Sequence, residues 1–145
     1  MRIESTRWGE IEVPEESVIH FPRGLYGLDG GQYYCLLEHG EASCFLWLQA
    51  VDSPAVAMIV TDPLLHFPEY EVTIPDPAAA LLQAEAPADL ALYSTVTVAP
   101  EGSPIYTNLL GPLIINPIAR RGMQLILDGS PYKTRHEIRS QGRQG

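Results

Sequence analysis

Residues Thr107 to Asn116 read Thr-Asn-Leu-Leu-Gly-Pro-Leu-Ile-Ile-Asn, an apolar run interrupted at its centre by Gly111-Pro112. Proline has no N–H to give to a ladder, so it cannot occupy the middle of a central strand. The run therefore reads as two short strands, or as one strand carrying a bulge. Asn108 and Asn116 stand eight residues apart at its entry and exit. An Asn side chain can satisfy backbone groups at a turn, so both read as structural, as does Pro112.

The rest of the chain has the same texture. Short apolar or alternating runs recur with turn residues between them. They cover 2–6, 9–13, 18–20, 33–38, 45–50, 56–61, 70–74, 91–98, 105–110, 113–116 and 123–127. Thirteen prolines and twelve glycines fall mostly in the connections. The pattern predicts a mostly β chain, folded as a barrel or a sandwich. One or two short helices are expected. Asp62-Pro63-Leu64-Leu65 and Asp76-Pro77-Ala78-Ala79 each set a capping Asp before a proline at the first helical position. A chain of 145 residues is one domain by length. Its body is expected over 1–139, with 140–145 as a flexible basic tail.

Charge divides the chain. Before Arg120, three basic residues face sixteen acids; from Arg120 onward, six basic residues face two acids. Nucleic-acid binding needs cationic side chains facing phosphate, and the acidic body does not offer them. An acidic body suits a basic protein partner, or simply maintains solubility. No apolar run is long enough for a membrane helix, and Met1-Arg2-Ile3-Glu4 does not open a signal region. The expected location is the cytoplasm.

Catalytic groups are sparse, and no enzyme, cofactor or metal is expected. His20, His39, His66 and His136 show no paired spacing. Asp62, His66 and Glu69 could converge on a metal only on a helix, which Pro68 opposes. Ser43-Cys44 has no nucleophile elbow. Cys35 and Cys44 match neither a metal knuckle nor a redox motif, and both are expected reduced in the core. Gly24, Gly27, Gly30 and Gly31 precede a strand, so they read as turn residues and not as a phosphate cradle. Phe21, Leu25, Tyr26, Phe67 and Tyr70 flank turns. Such residues are either partner contacts or lids on the end of a barrel, and the pattern leaves both open.

Several motifs occur together and in order. They are Phe21-Pro22-Arg23-Gly24-Leu25-Tyr26-Gly27, Leu48-Gln49-Ala50-Val51-Asp52-Ser53-Pro54, Asp62-Pro63, Phe67-Pro68-Glu69-Tyr70 and Tyr93-Ser94-Thr95-Val96-Thr97-Val98. They are followed by Asn108 to Asn116 and Gly122-Met123-Gln124. No single motif is specific, but the ordered set resembles the FliW family of flagellar assembly factors. The last six residues match nothing in that pattern.

The resemblance implies a small, largely antiparallel β-barrel-like domain that acts as a non-enzymatic regulator with two protein partners. One is CsrA, a basic RNA-binding dimer that represses translation of flagellin message; the other is flagellin. Flagellin would hold the factor until export, after which the factor would be free to antagonise CsrA. This is mutual exclusion, and linkage makes it reciprocal. Under this reading Glu38, Asp52, Asp62, Glu69 and Glu71 are candidate CsrA contacts. Phe21, Leu25, Tyr26, Phe67 and Tyr70 are candidate flagellin contacts. The alternatives are a flagellin secretion chaperone without a regulatory role, or a barrel that binds a small molecule.

Overall fold

One strand has three neighbours, and the architecture follows from it. The computed structural model describes residues 1–26, 31–38, 43–98 and 103–138. Within them β7 (Ala91–Thr97) pairs along one edge with β6 (Ala57–Thr61). Its other edge is shared. The first half pairs with β9 (Leu113–Asn116) and the second with β8 (Ile105–Thr107). Tyr93 faces Leu113 and Val96 faces Thr107. Three steps along β7 thus correspond to six along the opposite chain, so three extra residues bulge out at the Gly-Pro break. Both sequence readings are realised together: two short strands, on one edge, around a large bulge.

From β6 the sheet continues through β5 (Phe45–Ala50), β4 (Tyr33–Glu38) and β3 (Ile19–His20) to β10 (Arg121–Gln124). β10 pairs back onto β9, and the seven strands close into a barrel. All the barrel pairings are antiparallel except β3 with β10. β11 (His136–Ile138) extends the sheet from β8. β1 (Arg2–Ser5) and β2 (Gly9–Glu12) form a separate hairpin.

Alternation decides what fills the barrel. Phe21, Leu25, Tyr34, Leu48, Val60, Leu113 and Ile115 form the interior cluster. Phe21 is fully buried and meets Tyr34 edge to face at 5.4 Å. Its ring fits because Gly122 has no side chain: a Cβ there would stand 2.6 Å from Phe21 Cζ. The hairpin covers the other face of β4, where Ile3, Val13 and Cys35 pack together. Ser5 donates a buried 2.9 Å hydrogen bond to Gln49 Oε1 beneath it.

The α-helix, α1 (Asp76–Leu82), lays Ala78 and Leu82 on Ile114 and Met123. Asn116 ends it. Its Nδ2 donates to the Leu82 and Gln83 carbonyls at 2.9 and 3.2 Å. Its Oδ1 accepts from Ile118 and Ala119, closing the β9–β10 turn. Gln83 takes the left-handed conformation usual after a helix.

Some expectations need correction. Residues 70–74 join no ladder; Val72 and Ile74 pack against the helix cluster instead. β10 ends at Gln124: the amides of Leu125 and Leu127 still reach the Pro112 and Leu110 carbonyls in register, but Pro112 has no N–H to return and the Leu110 amide goes to Asn108 and Lys133. β11 was not expected, having one apolar residue in three. Asp76 is not the cap of α1: the Pro75 carbonyl takes the first amides, from Ala78 and Ala79, so Asp76 falls inside the first turn. Cys35 is buried, which raises its thiol pKa, but Cys44 is exposed at the turn before β5. It is the Cys44 carbonyl, not its thiol, that the fold uses, as acceptor for the Thr61 hydroxyl.

Candidate functional site

The bulge at 108–112 is tied down on every side. Asn108 Oδ1 accepts the amides of Leu110 and Gly111 at 3.0 and 2.9 Å. Gln124 Nε2 donates to the Gly111 carbonyl, and the Leu127 amide to Leu110. Pro112 is buried there and contributes its carbonyl to the Leu125 amide, a role that needs no N–H. Two further segments attach to Leu109. The Tyr70 hydroxyl donates to its carbonyl at 2.6 Å, and its amide donates to the Lys133 carbonyl at 3.1 Å.

The first segment runs from Asp62 to Glu71. Asp62 Oδ1 accepts the Leu64 amide at 2.9 Å and starts a 3-10 turn over Pro63–Leu65. Leu64 and Leu65 are consequently turned outward, the latter 59% exposed. The chain then bends back so that Phe67 is half-buried and Tyr70 buried. Burial, with Tyr132 adding to it, pushes the Tyr70 hydroxyl well above its ordinary pKa, so it serves as a neutral donor. His66 Nε2 lies 3.1 Å from Thr61 Oγ1. That hydroxyl gives its proton to the Cys44 carbonyl, so His66 is the donor in this pair.

The second segment is 130–136. Tyr132 packs edge-on against Tyr70 at 4.6 Å and accepts the Glu71 amide on its hydroxyl at 3.2 Å. His136 meets Phe67 edge-on at 5.8 Å, and its Nε2 accepts the Lys133 amide at 2.9 Å. Both histidines are held below the ordinary pKa, His66 by burial against an opposing Asp62, and His136 by burial and Lys133.

Between the two segments lies a groove of about 440 Å³. Phe67, Pro68, Tyr70, Leu109 and Tyr132 supply its apolar wall, and His66, His136 and Glu69 complete it. The loop from 62 to 71 carries three carboxylates, Asp62, Glu69 and Glu71, and no Lys or Arg. Among the described residues, ion pairs involve Glu10 and Glu12 but none of these three. An amphipathic surface results: aromatic within, acidic at the rim.

The structure brings Phe67, Tyr70, Asp62, Glu69 and Glu71 together in this loop. It sets the remaining candidates apart. Phe21 and Leu25 are inside the barrel. Tyr26 is 67% exposed, with its amide on Gln124 Oε1. Glu38 is exposed at the end of β4, and Asp52 is exposed with its carboxylate against Gly31. Gly24 makes its turn at φ +64°, while Gly27 lies outside the described residues. Sequence reasoning missed Leu109, Tyr132 and His136, which no local pattern joins to the 62–71 loop.

The model of the FliW protein family matches residues 2–138. The chain belongs to the FliW family of flagellar assembly factors. It is 38% identical to the flagellar assembly factor FliW of Treponema denticola, over 95% of this chain and 93% of that one. It is 39% identical to the FliW of Moorella thermoacetica, over 95% and 88%. A crystal structure of flagellar assembly factor FliW matches with a TM-score of 0.86 at 33% identity, covering 94% of this chain and 96% of the other. The barrel, with its bulge and groove, is thus described in a FliW chain. Among the described residues, no helix is long and apolar enough to cross a membrane.

Proposed function

We propose that this FliW-family chain binds flagellin and CsrA in alternation, through overlapping surfaces on the 62–71 loop and the groove it forms. It acts in the cytoplasm as a non-catalytic regulator, coupling flagellin synthesis to export. The observation that supports this reading is the interleaving of two chemistries in ten residues. Phe67 and Tyr70 alternate with Asp62, Glu69 and Glu71. An amphipathic helix of unassembled flagellin can lay its apolar face in the groove, with Phe67 as its half-buried anchor and Leu64 and Leu65 at the margin. A basic partner such as CsrA meets the acidic rim of the same loop. Two ligands that share one loop exclude each other without any conformational relay. Tyr70 supports this surface from beneath through its bond to the Leu109 carbonyl, whereas Phe21 and Leu25 belong to the barrel interior.

Competition tests the proposal. The chain is saturated with flagellin and titrated with CsrA, with binding read by calorimetry. The expected result is a loss of CsrA binding that is restored when flagellin is removed. A ternary complex with unchanged affinities would overturn the exclusion, and failure to bind either protein would overturn the function.

A further inference from the structure

The geometry points to a proton-released clasp: protonation of His136 at Nε2 detaches the 132–136 segment from the wall of the groove. The Lys133 amide donates to that nitrogen at 2.9 Å, so the neutral ring carries its proton on Nδ1. An imidazolium has no lone pair to accept with, and two N–H groups would then point at each other. Lys133 cannot withdraw alone. Its carbonyl accepts the amides of both Leu109 and Leu110, and Leu109 in turn accepts from Tyr70. Freeing the Lys133 amide therefore loosens the bulge, the Tyr132 contact with Tyr70 and the start of β11 together.

The two groove histidines differ in this respect. His66 already donates from Nε2, so a proton added on Nδ1 leaves its bond to Thr61 in place. The groups around the His136 ring are Tyr132 and Lys133 from its own segment, and Phe67, His66 and Glu69 from the loop across the groove; of its sequence neighbours, Arg135 lies over the Tyr106 ring and Glu137 is exposed. Partial burial, with Lys133 adding to it, favours the neutral ring, so the clasp is closed near neutral pH and opens on acidification. Flagellin would then find a less well-formed groove in acid, a consequence that rests on the function proposed above.

The clasp itself is tested without any partner. Amide exchange of the full chain is followed by NMR from about pH 7.5 to about pH 5.5 and corrected for intrinsic rates. Protection of Lys133 and Leu109 should fall roughly threefold to tenfold, while Leu110, also held by Asn108 Oδ1, and Leu48 and Val60 in the barrel change less. His136→Gln offers a carbonyl oxygen to the Lys133 amide and does not titrate, so it should flatten the profile; His66→Gln should not. Equal loss in the barrel, or an unchanged profile in His136→Gln, would overturn the clasp. Should His136→Gln fold poorly, the ring resonances of His136 in the unaltered chain must titrate in step with Lys133 exchange, and a mismatch is equally decisive.

Discussion

The Tyr70 hydroxyl donates to the Leu109 carbonyl at 2.6 Å, across thirty-nine residues of sequence and in a buried setting. It joins the 62–71 loop to the bulge at the Gly-Pro break. Tyr70→Phe keeps the ring against Tyr132 but leaves that carbonyl without its partner. The expected loss is about 1–3 kcal/mol of unfolding free energy, measured by chemical denaturation. Flagellin affinity should fall with it. An unchanged midpoint would mean that water replaces the hydroxyl at no cost.

Phe67 and Phe21 should separate binding from stability. Phe67→Ala removes a half-buried ring and is expected to weaken flagellin binding by about 1–3 kcal/mol, with under about 1.5 kcal/mol lost in stability. Phe21→Ala empties the barrel beside Gly122 and should cost about 3–5 kcal/mol of stability. Titration and denaturation on both variants check this, and the reverse ranking of stabilities would place Phe67 in the core.

The acidic rim should act mainly on encounter. Association with CsrA is expected to slow several-fold between roughly 50 and 300 mM salt, while dissociation changes less. Glu69→Gln combined with Glu71→Gln should reduce that salt slope in stopped-flow measurements. A slope independent of salt removes electrostatic steering from the account.

Stability should depend on pH through the two groove histidines. Both are harder to protonate in the folded chain than the ordinary value of 6.5. As pH falls below about 6.5 the unfolded chain takes up protons first, so stability is lost, levelling off below the folded pKa values. It is fully present above that range. The His66→Gln, His136→Gln double variant should show a shallower fall than the unaltered chain in denaturation midpoints across this window; parallel curves would show that carboxylates govern it.

The sequence made the barrel strands legible because alternation and turn chemistry are local. Residues 33–38, 45–50 and 113–116 match their strands end to end. It also marked the 62–71 loop, since Asp62-Pro63 and Phe67-Pro68 are strong local signals. The groove opposite was not legible. Tyr132 and His136 reach it by pairing across β8 and through the Lys133 carbonyl, which are long-range contacts in a polar stretch without periodicity. Burial of Phe21 and Tyr70 was equally hidden, because turn-flanking aromatics follow one pattern whether they point in or out.

Three extra residues at the break is an odd number, and side chains alternate with period two. Leu113 and Ile115 join Tyr93 inside the barrel, while Thr107, also odd-numbered, bonds to Ser94 on the opposite side of β7. The break thus inverts the parity of the strand it interrupts. Length variation here is therefore quantised. Removing two residues would shorten the floor of the groove and leave every barrel side chain facing as before. Removing one would turn Leu113 and Ile115 to the outside, so this surface can be resized only in steps that the barrel permits.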